Sequence, residues 1–561
     1  MSRILTSVLS VDINDRSTSG KVKPIRPTEI LCQILQFVAR SDGVKALLPL
    51  THVDTQWRRA ALGDSSLWTT IYLYRTPLPL LDMVLARAGN QLFTVYANYH
   101  DLEDHATLSV LIDRIEELYY SAGFEYLASL IAVSAPNLKV LHLRPESNIQ
   151  GVGDMMRYIT VPTVFDSSRF PLLRDLAITN AAILLSGPFK GLTSFECDIS
   201  DRPATSPARV FGAIQESPLI ETLRLVGRCF PPKEVDLPPI VLPLLGECSL
   251  IGEGITSLIR FITLPATAFV FLGKQYADDQ VDFPFNMLSI APGLRILGEV
   301  SAVSFSIDDY TSRLQARNNH GGVLDVEVDG LYYLSGDPSA FLCFIWSSFS
   351  CWPPCTGLET TKELTLCIER DGIWKPRDTT NSAINLVRFI SNLPDIEGAK
   401  LHGLPPSELS SVLSLLTSPR VATIKPRYPN LKRLDIESSP IRSPRLLLVE
   451  LGKLLAARKE AGTPLQSVTV KVRCEMLIPA MNHCAFLTSW ESLVEEGVGL
   501  EYEQIEVKKL LWRSYHSYPE DEGGERDEES DGEDGTGDFG DCVGWGSWPE
   551  KWPKTVKEMR G

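Results

Sequence analysis

The chain has 561 residues, of which 44% are hydrophobic and 22% charged, with a formal net charge of −16. That length exceeds what one ordinary globular core fills, so it implies several domains or a repeat array, which grows without a size limit. No apolar run approaches the roughly 18–20 residues that span a bilayer, and the acidic balance argues against general nucleic-acid binding, which needs a cationic field.

The first residues, 1–9, carry no convincing cleavage site, so a cytoplasmic and/or nuclear protein is expected. The 11 cysteines are scattered and odd in number, unlike a short secreted disulfide framework. Cys351 and Cys355 are the closest pair, and no second pair or histidine near them completes a zinc site, so no metal or cofactor is expected.

In chain order, residues 1–23 lack periodicity and read as a flexible lead-in. Residues 24–75 follow. There Ile30, Leu31, Ile34, Leu35 and Val38 recur at helical spacing, with Pro27 and Glu29 suited to the first turn. A second apolar run holds Val44, Leu47, Leu48, Leu50 and Val53; Trp57-Arg58-Arg59 and Leu67-Trp68 come after it. Then Leu80, Leu81, Val84, Leu85 and Ala88 mark a helix that Gly89-Asn90 stops.

From residue 76 to 516 apolar residues recur loosely as x, x+3, x+5. The clearest sets are Leu138/Leu141/Leu143, Leu173/Leu176/Ile178, Ile220/Leu223/Leu225 and Leu431/Leu434/Ile436. Weaker ones include Leu92/Val95/Ala97, Ile115/Leu118/Tyr120, Leu192/Phe195/Cys197, Leu245/Cys248/Leu250, Leu364/Leu366, Ile396/Ala399/Leu401 and Leu465/Val468/Val470. The last two positions of each set share one face of a short strand, and the first packs where the chain turns into it. Helical stripes lie between, at Phe124–Val133 and at Pro444–Lys459 with Ser443 as N-cap and Gly462 near the stop. Strand–helix units of this kind stack into a curved solenoid with a largely parallel sheet. Residues 251–390 fit the pattern poorly, with only Leu294/Leu297 in a long gap, so insertions, distorted repeats or an unrelated α/β domain are expected there. Alternation alone selects Lys139, Val140, His142, Arg174, Asp175, Ala177, Thr222, Arg224, Lys432, Arg433 and Asp435 as outward strand positions where a ligand would bind.

Residues 420–473 carry twelve basic side chains against four acids. Within them Lys425, Arg427, Lys432, Arg433, Arg442 and Arg445 form a candidate patch for an acidic partner or for the chain's own tail. Trp490 and Trp512 are expected in the final helices. Residues 517–561 read as a disordered tail too polar to bury a core, with Trp545, Trp548 and Trp552 beyond its acidic run. Residues 519–541 hold twelve acids and one arginine, giving −11, so the rest of the chain carries −16 − (−11) = −5.

No nucleophile elbow, phosphate-binding loop or H-E-x-x-H motif occurs, and His320-Gly321-Gly322 after Asn318-Asn319 reads as a turn. No catalytic residue is therefore expected.

Residues 24–75 resemble the F-box in the form common among fungal F-box proteins. The matching pieces are Pro27-Thr28-Glu29-Ile30-Leu31 with Ile34, His52-Val53, Gln56-Trp57-Arg58 and Leu67-Trp68. Arg26 stands where that family usually has leucine, and His52-Val53-Asp54 replaces a Val-Cys-Arg-like run. The later units resemble the irregular leucine-rich repeats of F-box proteins, with Asn180 near the place of the repeat asparagine. The resemblance implies a three-helix F-box, a leucine-rich-repeat solenoid and a disordered tail. It implies a non-catalytic substrate receptor of an SCF-type, cullin–RING ubiquitin ligase. Pro27, Ile30, Leu31, Ile34, Leu48 and Trp57 would lie on or near the surface facing a Skp-family adaptor, and the repeats would hold an unidentified protein target, with neither membrane nor nucleic acid as partner. The alternatives are a leucine-rich scaffold that no longer engages the ligase, and an enzyme within 251–390.

Overall fold

A computed structural model describes residues 28–98, 102–122, 124–145, 163–179, 183–199, 207–227, 239–252, 259, 261–274, 300–307, 311–329, 360–368, 380–391, 393, 396–418, 428–437, 445–474 and 499–504. The expected lead-in, Leu294/Leu297, Asn180, the Ser443 cap, the helices at Trp490 and Trp512, and the tail all lie outside these residues.

The chain forms two compact units, residues 1–97 and 98–561, so the sequence boundary at 75/76 falls inside the first. The first unit holds α1 (Thr28–Asp42), α2 (Leu47–Leu50), α3 (Thr55–Gly63), strand β1 (Thr70–Tyr72), α4 (Leu78–Ala88) and strand β2 (Phe93–Asn98), with β1 and β2 paired in parallel. Leu92/Val95/Ala97, read as a first repeat, belongs to this pair. Asp54 caps α3 by accepting from the amides of Gln56 and Trp57, which satisfies two of the orphan donors at a helix start. Trp68, fully buried, donates its indole N–H to the Ala61 carbonyl at 2.8 Å, and the Arg87 guanidinium lies 5.2 Å from its ring centre.

The second unit opens with α5 (Leu102–Leu111), β3 (Ile115–Ala122), α6 (Phe124–Ile131), β4 (Val140–Pro145), β5 (Thr163–Asp166), β6 (Asp175–Thr179), β7 (Ile183–Ser186) and β8 (Ser194–Ile199). It continues with α7 (Pro207–Gln215), β9 (Thr222–Gly227), β10 (Ile240–Val241), β11 (Glu247–Ile251), β12 (Ile262–Thr263) and β13 (Phe269–Lys274). Then come β14 (Val300–Ile307), β15 (Thr311–Asn318), β16 (Val323–Asp329), β17 (Glu363–Ile368), α8 (Thr380–Ser391), β18 (Gly398–His402), α9 (Pro406–Thr417), β19 (Arg433–Glu437), α10 (Arg445–Glu460), β20 (Ser467–Cys474) and β21 (Gly499–Gln504).

Its main sheet runs β3-β4-β6-β8-β9-β11-β13-β16-β15-β14-β17-β18-β19-β20-β21. Neighbours are parallel except where β15 runs antiparallel to both β16 and β14. The described strands β13–β17, within residues 251–390, therefore continue the sheet. β13 pairs with β16 and β14 with β17, so the chain passes through this region out of spatial order. The Asn318–Gly322 turn closes the β15–β16 hairpin as the sequence implied, with the Asn318 side chain accepting from the amides of His320 and Gly322.

The x+3 and x+5 residues line up strand by strand. Leu118, Leu141, Leu176, Phe195, Leu223 and Cys248 pair in one row, and Tyr120, Leu143, Ile178, Cys197, Leu225 and Leu250 in the next. The rows resume on the far side of the hairpin with Leu364, Ala399, Leu434 and Val468 beside Leu366, Leu401, Ile436 and Val470. All are buried. Because side chains alternate across a strand, a one-residue slip in any pairing would turn these rows to solvent, so the pattern enforces the register.

Six of the strands are entered through a tight turn just before x. The amide of x donates to the carbonyl of x−3 at Leu138, Leu173, Leu192, Ile220, Leu245 and Leu431. Residue x−3 is buried too, as Ala135, Phe170, Phe189, Ser217, Leu242 and Tyr428 show. Proline stands at x−2 in five of these turns (Pro136, Pro171, Pro218, Pro243, Pro429), where its fixed φ suits the first central position. Beyond the turn, the amides of x+1 and x+2 both donate to one carbonyl of the preceding strand's entry: Arg174 and Asp175 to Lys139, Thr193 and Ser194 to Arg174, Lys432 and Arg433 to Glu397. At the far end, Gly252 and Gly403 have positive φ, and a Cβ on either would meet a backbone oxygen of the neighbouring strand at 2.0 Å.

Helices α8, α9 and α10 pack side by side in chain order. Their buried stripes (Leu386 and Phe389; Leu409, Val412 and Leu413; Leu448, Leu451 and Leu454) belong to the core with the strand rows. Arg458 on α10 stands apart from the other basic side chains of 420–473. It is fully buried and donates Nε to the Thr463 carbonyl, Nη1 to Tyr428 and Nη2 to Leu431, at 3.1, 3.0 and 2.8 Å. It ties the helix to the turn that opens β19. Burial holds its pKa below the usual arginine value, yet the group stays charged. Arg458→Met removes three buried hydrogen bonds and leaves the Thr463 and Leu431 carbonyls without their guanidinium donor, so chemical denaturation should show a loss of roughly 3 kcal/mol. Lys453→Met breaks only the exposed pair with Glu450 and should cost under about 0.5 kcal/mol.

Candidate functional site

Two surfaces collect the residues singled out in the sequence. The first is α1. Its inward stripe, Leu31, Leu35, Val38 and Ala39, is buried. Ile30 is 49% and Phe37 59% exposed, with Ile34 half-buried between them. Positions 30, 34 and 37 share one helical face, so α1 is apolar on two sides. One side holds the unit together and the other presents a bulky apolar strip to solvent. Tyr72 fixes the end of the helix by donating its hydroxyl to the Arg40 carbonyl at 3.0 Å, and its ring stacks on Tyr96 at 4.6 Å.

The expected adaptor-facing residues divide accordingly. Ile30 and Ile34 lie on the outer strip and Leu48 is half-buried. Leu31 and Trp57 are packed inside the unit, and Pro27 lies outside the described residues. Phe37, the most exposed aromatic side chain of the described unit, escaped the sequence reading because 30, 31, 34, 35 and 38 satisfy a single stripe without it. Its position three residues after Ile34 was the available signal. Among the departures from the family pattern, Asp54 has a local reason, since it is the cap of α3.

The second surface is the outward face of the main sheet. His142, Asp175, Arg224, Lys432, Arg433 and Asp435 are all at least partly exposed there. Ala177 is instead buried, which corrects its outward assignment; a single methyl group is overshadowed by the longer side chains on either side. Charges on this face alternate across strands: Glu116 with Lys139 at 2.5 Å, Glu196 with Arg224 at 3.2 Å, and Glu437 with Lys471 at 3.7 Å. His142 lies 3.4 Å from Asp175 and His402 3.5 Å from Asp435.

Of the candidate basic patch, Lys432 pairs with Glu397 at 3.0 Å and Arg433 with Glu363. Arg445 opens α10, and Lys425, Arg427 and Arg442 lie outside the described residues. The acids that answer Lys432 and Arg433 stand 35 and 70 residues earlier, too far apart in sequence for a local charge count to include them.

Asp325 was also missed. It is fully buried in the middle of the hairpin, clasped in a bidentate pair by Arg313 and bonded by Gln315 at 2.9 Å. The hydrogen bond to Asp325 raises the Arg313 pKa. Both partners lie on strand β15, so the contact locks the reversed strand to β16.

Among the described residues no group of three or more His, Cys, Asp or Glu is placed to hold a metal ion, and no helix is long and apolar enough to cross a membrane. No family model matches the chain, and no curated protein matches it.

Glu397 is flanked by Lys432 and Lys362, whose hydrogen bonds hold its carboxyl below the usual carboxylate range. A depressed carboxylate contributes its stabilisation above its unfolded pKa and loses it as pH falls through the folded one. Lys432→Ala should move the Glu397 titration, followed by carboxyl carbon NMR, back toward the unfolded value. An unchanged midpoint would mean that Lys362 alone holds it.

Proposed function

We propose that this chain is the substrate-receptor subunit of an SCF-type ubiquitin ligase. In this reading the first unit is an F-box that docks a Skp-family adaptor. The second is an irregular leucine-rich-repeat solenoid that holds a protein target near the conjugating enzyme. The chain supplies proximity and no bond chemistry of its own.

The observation that carries the reading is the second apolar side of α1, where Ile30, Ile34 and Phe37 form a strip that the unit's own core does not use. Exposed apolar strips of this kind mark protein docking sites. It falls within the stretch whose residues resemble the F-box, on the helix that begins at Thr28-Glu29-Ile30-Leu31. For the repeats, support comes from the recurring turn–strand entry and the two in-register apolar rows. Parallel strands spaced by helices, each unable to bury its face alone, are what stacked repeats require.

Copurification of the full chain with a Skp-family adaptor tests the proposal. Burying Ile30 and Phe37 contributes about 1.5–3 kcal/mol each, so Ile30→Asp with Phe37→Asp should weaken retention at least a hundredfold or so. Both side chains are exposed, so thermal stability should change little. Failure of the unaltered chain to retain the adaptor, or equal retention by the double variant, would leave the leucine-rich scaffold as the reading.

A further inference from the structure

Four neighbouring strands of the main sheet, β6, β8, β9 and β11, are entered through the same turn, in which the amides of Leu173, Leu192, Ile220 and Leu245 donate to the carbonyls three residues earlier. Each entry also leans on the one before it. Thr193 and Ser194 donate to Arg174, Glu221 and Thr222 to Thr193, and Gly246 and Glu247 to Glu221. The turns are therefore stacked in register, about 4.8 Å per step, and equivalent positions form rows. In the row just before x stand Leu172, Gly191, Leu219 and Leu244. The three leucines are 47%, 43% and 51% exposed, and each follows an exposed proline. The turn itself does not require leucine, since the same position holds Asn137 and Asn430 elsewhere, a residue better suited to turns. The row is an apolar strip about 14 Å long at the entry edge of the sheet.

Charge along the strip is polarised. At the β6–β8 end lie the exposed cations Arg174 and Lys190, and around the β9 entry the exposed acids Glu216 and Glu221. None of these four makes an ion pair among the described residues, whereas the nearby Lys139 is matched by Glu116 and Arg224 by Glu196. Asp175, at the cationic end, is turned to His142 on the outward face.

We propose that two copies of this chain associate through this strip as a two-fold dimer, with the leucines at the centre of the contact and the four charges at its rim. Exposed apolar strips mark interaction surfaces, and here the charges select a second copy as the partner. A two-fold axis across the row reverses the order of the turns, so Leu172 of one copy meets Leu244 of the other, and Gly191 leaves room for Leu219. The same rotation sets Lys190 opposite Glu216 and brings Arg174 within one turn of Glu221, and symmetry makes each contact twice. An axis along the row would instead set Lys190 on Lys190 and Glu216 on Glu216, which like-charge repulsion disfavours. The proposal makes no use of α1 and holds whether or not the chain serves a ligase.

The test is sedimentation velocity of the full-length protein over a concentration series. A dimer should form with a dissociation constant on the order of 10 μM, as suits a small interface. Leu219→Asp with Leu244→Asp should weaken it at least about a hundredfold. Lys190→Glu and Glu216→Lys should each weaken it about tenfold, because each sets like charges together twice. Both changes in one chain, or an equimolar mixture of the two single variants, should restore association. Restoration by exchange of charge does not arise from altered folding, so this arm decides the matter even if the leucine variant fails to fold. Ile30→Asp with Phe37→Asp should leave association unchanged, which separates this surface from the adaptor strip. A chain that stays monomeric at about 100 μM overturns the proposal, even if it retains some other protein. So does association that survives the leucine changes, that is lost with Ile30 and Phe37, or that the charge exchange does not restore.

Discussion

The interaction on which the second unit depends is a shared carbonyl at the mouth of each strand. One oxygen, such as that of Lys139, accepts the amides of two consecutive residues of the next strand's entry, here Arg174 and Asp175. The next entry does the same to Arg174, and the chain of such contacts resumes beyond the hairpin through Lys362, Glu397 and Lys432. Each contact sets a new strand beside the last one through backbone groups alone. A buried turn residue then pins the entry from the core side, and the x+3 and x+5 residues close the register.

Where the device is absent, the architecture changes. Between β13 and β17 the sheet is carried by the antiparallel β14–β15–β16 set, whose strands are joined by short connections and not by separate entries. A reversed strand brings outward-facing charge to the sheet's middle, and the buried Asp325 with Arg313 is the consequence. A buried carboxylate must be hydrogen-bonded and paired to be tolerated, and both conditions are met on one neighbouring strand. Arg458 solves the converse problem. Among the described residues its buried cation pairs with no carboxylate, and three carbonyls at a turn and a helix end accept its hydrogen bonds instead.

Much of the fold was legible because it obeys local rules. The stripe of α1, the helix ending at Gly89, the Gly462 stop and the turn at Asn318–Gly322 all follow from periodicity and from residues suited to particular backbone angles. The strands of the hairpin were written plainly as well: Val303, Phe305 and Ile307 alternate with serines, and Leu324, Val326 and Val328 alternate with acids. Their spacing differs from that of the repeats, so the repeat pattern does not mark them. The candidate sites were less legible. Phe37 and Leu31 are both large apolar residues on the same helix, and no pattern within α1 says which of them faces the core.

What the sequence by itself determined is the alternation of apolar and polar residues, the prolines at strand entries and the helix stops, since each acts on its immediate neighbours. What only the tertiary structure decided is which strand lies beside which. From that follow the neutralisation of Lys432 and Arg433 by distant acids and the burial of Arg458 and Asp325. The physical reason is that hydrogen-bond registers and ion pairs between strands join residues 19 to 70 positions apart, and a side chain's exposure is set by those neighbours.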